Sequence, residues 1–254
     1  MPGGPGHFPP LVILAALSRE VRPFLRRTQA RGEGRQCWTF SLFGRLGVVC
    51  LSGIGEAAAA RAARERLAAL RPAAVFSVGF AGAVTQAVAP GDLVVGMSLW
   101  RYDRHTAELT EVAAPPAPVA VPELVQRLRE AGLPAKAGSL VTAPVIVDKA
   151  REVKAVRHLI HPVLEQETAA VATQAFSASV SFLGIRVVTD GADEEIPRFL
   201  AEKLDAGVEP GWGEALAWVA ADPRRLAILV RLWRRSEVAA RNLARALEVV
   251  LEVV

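Results

Sequence analysis

At 254 residues, 52% of them hydrophobic and 22% charged, the chain can bury a large core as one α/β domain or two small ones, and its composition excludes a disordered polypeptide. The net charge of +4 rests on arginine, since the lysines are only Lys136, Lys149, Lys154 and Lys203, and it carries no nucleic-acid signature by itself. Cys37 and Cys50 lack metal-ligand spacing and predict neither a disulfide framework nor a zinc site, so both are expected as small buried apolar residues.

Residues 1–10 are rich in Pro and Gly and read as a flexible lead, with His7 a tail residue and not a ligand. Leu11 to Leu17 is apolar, too short to span a membrane and preceded by no basic residues. It reads as a first central strand and not as a signal peptide. Ser18 is the expected N-cap of a helix reaching about Thr28. Glu20 then falls in its first turn, where a carboxylate complements the helix dipole, and also at the carboxyl end of a strand. Gln36–Phe43 and Arg45–Ser52 are strand-like runs about Gly44 and predict a hairpin. Ser52-Gly53-Ile54-Gly55 opens an Ala-rich helix from Glu56 to Leu70, ended by Pro72. Such a turn exposes backbone N–H groups and suits an anion or a sugar. The third glycine of a dinucleotide fingerprint is missing.

Ala73 to Val78 is a buried strand running into Gly79-Phe80-Ala81-Gly82-Ala83, where small residues let a ligand approach the backbone. Pro90-Gly91-Asp92 predicts a turn and Leu93 to Met97 a strand. Residues 101–122, polar and then Pro-rich, predict a long loop of the kind that covers sites. A helix is expected over 122–131 with Leu124, Val125 and Leu128 inward. Ser139 to Val147 is strand-like, with an irregular turn at Pro144, and 148–159 reads as a helix. His158 and His161 near its end have no partner at metal spacing. Strand and helix alternate, with no internal repeat, and predict a single α/β domain around a largely central sheet.

Leu164-Glu165-Gln166-Glu167 leads into an Ala-rich helix from Thr168. A glutamate buried at the entrance of an apolar helix needs a partner, either backbone N–H groups or the hydroxyls of a bound sugar. The apolar run Val180 to Val188 reads as a buried strand delivering Thr189-Asp190-Gly191-Ala192-Asp193 to the carboxyl end of the sheet, where α/β folds place ligands. The alternative for Asp190 or Asp193 is a helix N-cap. Glu20, Glu167 and Asp190 all fall at sheet-edge junctions where a common cleft would form.

Ala16-Leu17-Ser18-Arg19-Glu20-Val21, Ser52-Gly53-Ile54-Gly55, Gly79-Phe80-Ala81-Gly82 with Gly91-Asp92-Leu93-Val94-Val95, Glu165-Gln166-Glu167-Thr168-Ala169-Ala170 and Thr189-Asp190-Gly191-Ala192-Asp193 occur in the order found in methylthioadenosine/adenosylhomocysteine nucleosidases. From about Leu11 to Asp193 the chain resembles that family of the nucleoside phosphorylase superfamily. The resemblance implies a three-layer α/β/α sandwich with a mixed central sheet over 11–205, and a homo-oligomer, a dimer. It implies cleavage of the bond between ribose and a purine, with no metal or organic cofactor. By position Asp190 is similar to the general acid that protonates purine N7, Glu167 to the glutamate that holds the ribose diol, and Glu20 to the residue that activates water. Val145, Ile146 and Val147 fall where the family lines the base pocket with a backbone contact. Gly55, Gly79 and Thr189 fall beside the substrate. A general acid at Asp190 requires burial or a nearby negative charge to keep its proton near pH 7.

Gln166 stands where the family usually has Met, and Phe80 where it usually has Ser, so the accepted sugar or substituent is open. Glu20 favours water over a phosphate dianion as nucleophile, while Arg22 leaves phosphorolysis open, its other reading being a solvated helix face. Residues 206–254 exceed the simple nucleosidases and predict a helical extension packed on the domain. Within it Pro223 to Leu247 carries Arg224, Arg225, Arg231, Arg234, Arg235, Arg241 and Arg245 against the single acid Glu237, with Leu226, Ile228, Leu229, Val230, Leu232 and Trp233 between. This is either a helix packed on the core with a solvated Arg face or one that lies on an anionic membrane surface. The tail and the Asp190 to Pro197 spacing resemble the hopanoid-associated branch, which releases adenine from adenosylhopane. The expected protein is cytoplasmic, with peripheral membrane contact and a lipid-linked nucleoside as the further implications. Methylthioadenosine/adenosylhomocysteine nucleosidase, futalosine hydrolase and a non-catalytic nucleoside-binding protein are the alternatives. A nucleic-acid partner is not expected, since the arginines have no interleaved aromatics outside the tail.

Overall fold

A computed structural model describes residues 9–34, 36–147, 149, 153–194, 196–208, 212–222 and 224–254. His7 and Asp148 therefore lie outside the described residues. The apolar runs form strands because a strand covered on both faces has no solvent side. Leu11–Ala15 (β1) is buried along its whole length. Ala74–Ala83 (β5) extends the expected strand through the small residues to Ala83, and Ser181–Asp190 (β10) carries Asp190 as its last residue. β1 lies parallel to β5, and β5 parallel to β10, so three carboxyl ends meet at one edge of the sheet.

The remaining strands are Arg31–Gly32 (β2), Cys37–Leu42 (β3), Arg45–Leu51 (β4), Leu93–Asp103 (β6), Glu108–Glu111 (β7), Ala135–Thr142 (β8) and Val163–Glu165 (β9). The sheet is mixed. β10 joins β6 as well as β5, and β9 joins β5 to β8, so the strands β5, β10, β6, β8 and β9 close on themselves. β1, β4, β3 and β2 continue outward from β5.

Helices cover both faces. Ser18–Arg27 (α1), Val121–Glu130 (α3) and Arg225–Val253 (α7) share one apolar cluster with β1, β5 and β10. Glu56–Leu70 (α2) and Thr168–Ala178 (α4) share the other, where Ala59, Ala63 and Leu67 of α2 face Ala172 and Ala175 of α4. Small residues at i and i+4, Ala59 and Ala63, let these two helices approach closely. The result is the three-layer α/β/α arrangement. Two short helices, Arg198–Asp205 (α5) and Trp212–Ala221 (α6), lie between β10 and α7 in the chain. Phe199 stacks on Trp218 with centroids 4.5 Å apart, tying α5 to α6. The second half of α7 is core, with Leu243, Leu247, Val250 and Leu251 buried. Its first half leaves Leu226, Val230 and Trp233 exposed. No helix among the described residues is long and apolar enough to cross a membrane.

Four expectations change. Cys37 and Cys50 form a disulfide, with Cα atoms 4.2 Å apart, because the hairpin register sets them directly opposite each other on β3 and β4. Residues 101–122 are not all loop, since β6 runs on to Asp103 and turns back as β7. The helix expected over 148–159 does not reach its end: the 3₁₀ turn Val153–Ala155 is followed by turns, and 148 and 150–152 lie outside the described residues. Ser18 is not the cap of α1. Leu17 holds that position, and its N–H donates to the Glu20 carboxylate at 2.8 Å.

Candidate active site

The joined carboxyl ends of β1, β5 and β10 open into a cavity of about 400 Å³ whose lining includes Glu20, Phe80, Gln166, Glu167, Thr189 and Asp190. Glu20 is fixed by two backbone donors, Leu17 N–H on Oε2 at 2.8 Å and Phe80 N–H on Oε1 at 2.9 Å. Gly79 backs it, because a Cβ there would stand 2.8 Å from Oε1. Burial pushes the Glu20 carboxyl above its usual range, against the pull of those N–H groups and of the Arg186 and Arg19 charges.

Glu165 and Glu167, both standing before α4, have different tasks. Glu165 points inward and is saturated. Its Oε2 accepts the N–H groups of Glu167 at 2.9 Å and Thr168 at 2.8 Å, which are orphan donors of the helix start, and Thr142 donates to Oε1. Arg186 closes on the same carboxylate, with Nη2 2.6 Å from Oε2. Burial raises the Glu165 carboxyl, but the guanidinium and these donors outweigh it and hold the group below the usual range. Glu167 takes the Gly55 N–H at 3.0 Å and faces the cavity, 3.7 Å from Arg186. The Gly-bearing turn before α2 thus binds a carboxyl group of the chain itself. Gly55 also has φ 87°, a conformation that favours glycine.

One guanidinium serves three carboxylates here, Glu165, Glu167 and Glu20. Glu165 has the short contact. Burial first, and then the Glu165 charge, push Glu167 up to about 8, against the weaker pull of Arg186. Folding then weakens with rising pH. An unfolded carboxyl ionises near 4.5, while folded Glu167 keeps its proton until about 8, so stability present below the lower value is lost between the two. The slope for one proton is about 1.4 kcal/mol per pH unit. Glu167→Gln has no such proton, and its unfolding free energy in urea is expected to fall less steeply than the wild type's between pH 5 and 8. Equal slopes would show that Glu167 is ionised in the folded protein at neutral pH.

Asp190 is buried, as a general acid requires, but the charged neighbour is a cation. Lys149 Nζ contacts Asp190 Oδ2 and donates to the Gly191 carbonyl at 2.8 Å, while Thr189 Oγ1 donates to Oδ1 at 2.8 Å. Among the described residues no helix starts at Asp190 or Asp193, and the N-cap of the next helix is Pro197. Arg22 is exposed at the cavity rim. Ile146 reaches the cavity, whereas Val147 packs into a separate cluster with Tyr102 and Val141, and Val145 does not line it. The Ile146 N–H donates to Asp205 Oδ1 at 2.8 Å, which Gln166 also reaches at 3.0 Å. Arg186, Lys149 and Asp205 are site residues that no sequence motif singles out. Arg186 has one signal, a charge inside an otherwise apolar strand.

Beyond the carboxylates the wall turns apolar. Phe199, Leu200 and Leu204 of α5 face Leu229, Leu232 and Trp233 of α7. No group of His, Cys, Asp and Glu able to hold a metal ion occurs among the described residues.

Residues 10–209 match the family model described as Phosphorylase superfamily. The chain is 24% identical over 188 residues to the 5'-methylthioadenosine/S-adenosylhomocysteine nucleosidase of Baumannia cicadellinicola subsp. Homalodisca coagulata, covering 70% of this chain and 81% of that protein. Among solved structures, a mutant futalosine hydrolase of Helicobacter pylori strain 26695 superposes with a TM-score of 0.70 at 16% identity, covering 96% of this chain and 99% of the other. A 5'-methylthioadenosine/S-adenosylhomocysteine nucleosidase of Neisseria meningitidis, in complex with methylthio-immucillin-A, superposes with a TM-score of 0.66 at 19% identity, covering 97% and 100%.

Proposed function

The chain belongs to the phosphorylase superfamily and is a nucleoside-cleaving enzyme, and from that premise we propose that it hydrolyses the N-glycosidic bond of an adenine nucleoside. The observation that carries this reading is the convergence of Glu20, Glu167 and Asp190 on one cavity from three separate elements. Cleavage builds positive charge on the ribose while electrons flow into the base. Carboxylates beside the sugar stabilise that charge, and a proton delivered to the base makes it a neutral leaving group. Glu20, held by two N–H groups, takes the proton of the water that attacks C1′. Glu167, protonated below about pH 8, offers an O–H donor and a carbonyl acceptor to the two ribose hydroxyls. Asp190 meets N7 of the departing purine.

Water is the nucleophile in this reading, because Glu20 repels a phosphate dianion and Arg22 lies at the rim. The substituent on the ribose is a large apolar group, with adenosylhopane as the proposed substrate. Support comes from the wall of Phe199, Leu200, Leu229, Leu232 and Trp233, which a small methylthio group would not fill. Leu226, Val230 and Trp233 are exposed on an arginine-bearing helix, which suits peripheral contact with an anionic membrane.

The test is adenine release from methylthioadenosine, futalosine and adenosylhopane in detergent, each with and without phosphate. Fast release from adenosylhopane alone is expected. Fast release from methylthioadenosine would make the apolar wall a packing feature. A requirement for phosphate would overturn the role of Glu20.

A further inference from the structure

We propose that Lys149 is a positioning residue of this reaction, acting through Asp190 by sharing with it the proton that the departing base takes. The inference rests on the cleavage reading above and adds to it a residue that no sequence motif marks. Lys149 is buried, with 7% of its side chain exposed against 5% for Asp190. Among the described residues its ammonium has two partners, Asp190 Oδ2 and the Gly191 carbonyl at 2.8 Å. Both therefore belong to the catalytic turn. Thr189 Oγ1 occupies the other carboxylate oxygen at 2.8 Å, so both oxygens of Asp190 are held by donors.

Backbone space is reserved for the pair. A Cβ on Gly82 would stand 2.6 Å from Asp190 Oδ2 and 2.9 Å from Lys149 Nζ, so only glycine on β5 leaves room for both. Stability does not explain the arrangement. Burying two ions costs about as much as their attraction returns, and apolar residues of similar volume fill such a site as well or better. A buried ion pair against the departing base is instead suited to proton delivery.

In the resting pair the shared proton sits on Nζ. As the C1′–N9 bond breaks, its electron pair passes into the purine and N7 becomes basic. The proton crosses from Nζ to Oδ2, and Asp190 delivers it to N7. Lys149 is left as a neutral amine beside the Asp190 carboxylate. The attacking water gives its proton to Glu20 and its oxygen to C1′. Glu20 then releases that proton to solvent and Lys149 takes one up, restoring both groups.

The experiment compares wild type, Lys149→Met and Lys149→Arg. Calorimetry measures binding of adenine and of 7-deazaadenine, which lacks the N7 acceptor, and adenine release is measured on a nucleoside that the wild type cleaves. Wild type is expected to prefer adenine by about tenfold, the worth of one charge-assisted hydrogen bond, since N7 takes up the pair's proton and donates it to the Asp190 carboxylate. Lys149→Met should abolish that preference and lower kcat by roughly 10²-fold with KM little changed, the size of general-acid help. Lys149→Arg, which keeps the cation but cannot give up its proton, should lose both as Lys149→Met does. A preserved adenine preference in Lys149→Met would overturn the proposal. So would an equal loss for both bases in both variants, which is the signature of a structural role, or no preference in the wild type. Should Lys149→Met fail to fold, the Lys149→Arg comparison decides between the same outcomes. An intact preference in a wild type that cleaves no nucleoside would count against the cleavage reading and not against the placement of Lys149.

Discussion

Asp190→Asn is expected to fold and to lose roughly 10²–10⁴ of its turnover of an adenine nucleoside, the range for removal of a general acid. The substitution is nearly isosteric, and the amide oxygen still accepts from Lys149 or Thr189. The Gly191 carbonyl keeps its contact with the ammonium at 2.8 Å. The fold is therefore largely spared, although the buried ammonium loses its counter-charge, which lowers stability by an amount that thermal unfolding will show. What is lost is the group proposed to carry a proton between Nζ and N7. On the proposed reading substrate binding depends on Glu167 and the apolar wall, so KM should move little and kcat should carry the effect. If Lys149 acts through Asp190, then Lys149→Met on the Asp190→Asn background should slow the enzyme little further. Unchanged turnover in Asp190→Asn, measured as adenine release, would remove the residue from the mechanism.

The sequence carries the catalytic edge more plainly than the charge arrangement behind it. β1, β5 and β10 are legible because strands buried on both faces read as apolar runs, and Glu20 shortly after β1 and Asp190 at the end of β10 stand out. Those junctions gather Glu20 and Asp190 about one cleft, and Glu167 joins them from the helix start that follows β9. β7 is not legible, because Glu108–Glu111 is polar and pairs only with β6 at the margin, so it has no apolar pattern to show. β9 has three residues, too few for any period. The disulfide is within reach of the sequence. Once the hairpin turn is fixed at Phe43 and Gly44, Leu42 opposes Arg45, and counting back five places on each side sets Cys37 against Cys50. Cysteine spacing and composition miss the pairing because neither carries the register of the hairpin.

Lys149 has no such route. It lies after β8, in a stretch whose path to Asp190 depends on how the chain turns beyond Thr142, and no local pattern encodes that. The division of labour between Glu165 and Glu167 is likewise open in the sequence. Both glutamates need partners at the entrance of an apolar helix, and backbone N–H groups or sugar hydroxyls would serve either. Only the fold shows that Glu165 takes the N–H groups of the helix start while Glu167 is left to the cavity.

Arg186→Met is expected to destabilise the protein by about 3–5 kcal/mol, the usual result of removing one member of a buried ion pair. That is a large share of a typical folding free energy. The guanidinium is 1% exposed and bonds Glu165 at 2.6 Å and Ser77 at 3.1 Å. Methionine matches the stem but leaves the Glu165 carboxylate buried with only neutral donors. Three acids would then share a pocket with no guanidinium between them, so Glu165 as well as Glu167 would have to bind a proton to fold. Adding Glu165→Gln to Arg186→Met should therefore recover part of the loss, since an amide needs no counter-charge and its oxygen still accepts from Thr168. Denaturant unfolding of the two singles and the double gives the coupling directly. Recovery is expected to be larger at pH 8 than at pH 5, because at low pH the unfolded carboxyls are closer to protonation and the stranded acid costs less. A loss below about 1 kcal/mol in Arg186→Met would mean that the Thr142, Glu167 and Thr168 donors suffice for Glu165. Arg186 would then serve Glu20 and Glu167 in the cavity more than it serves the fold.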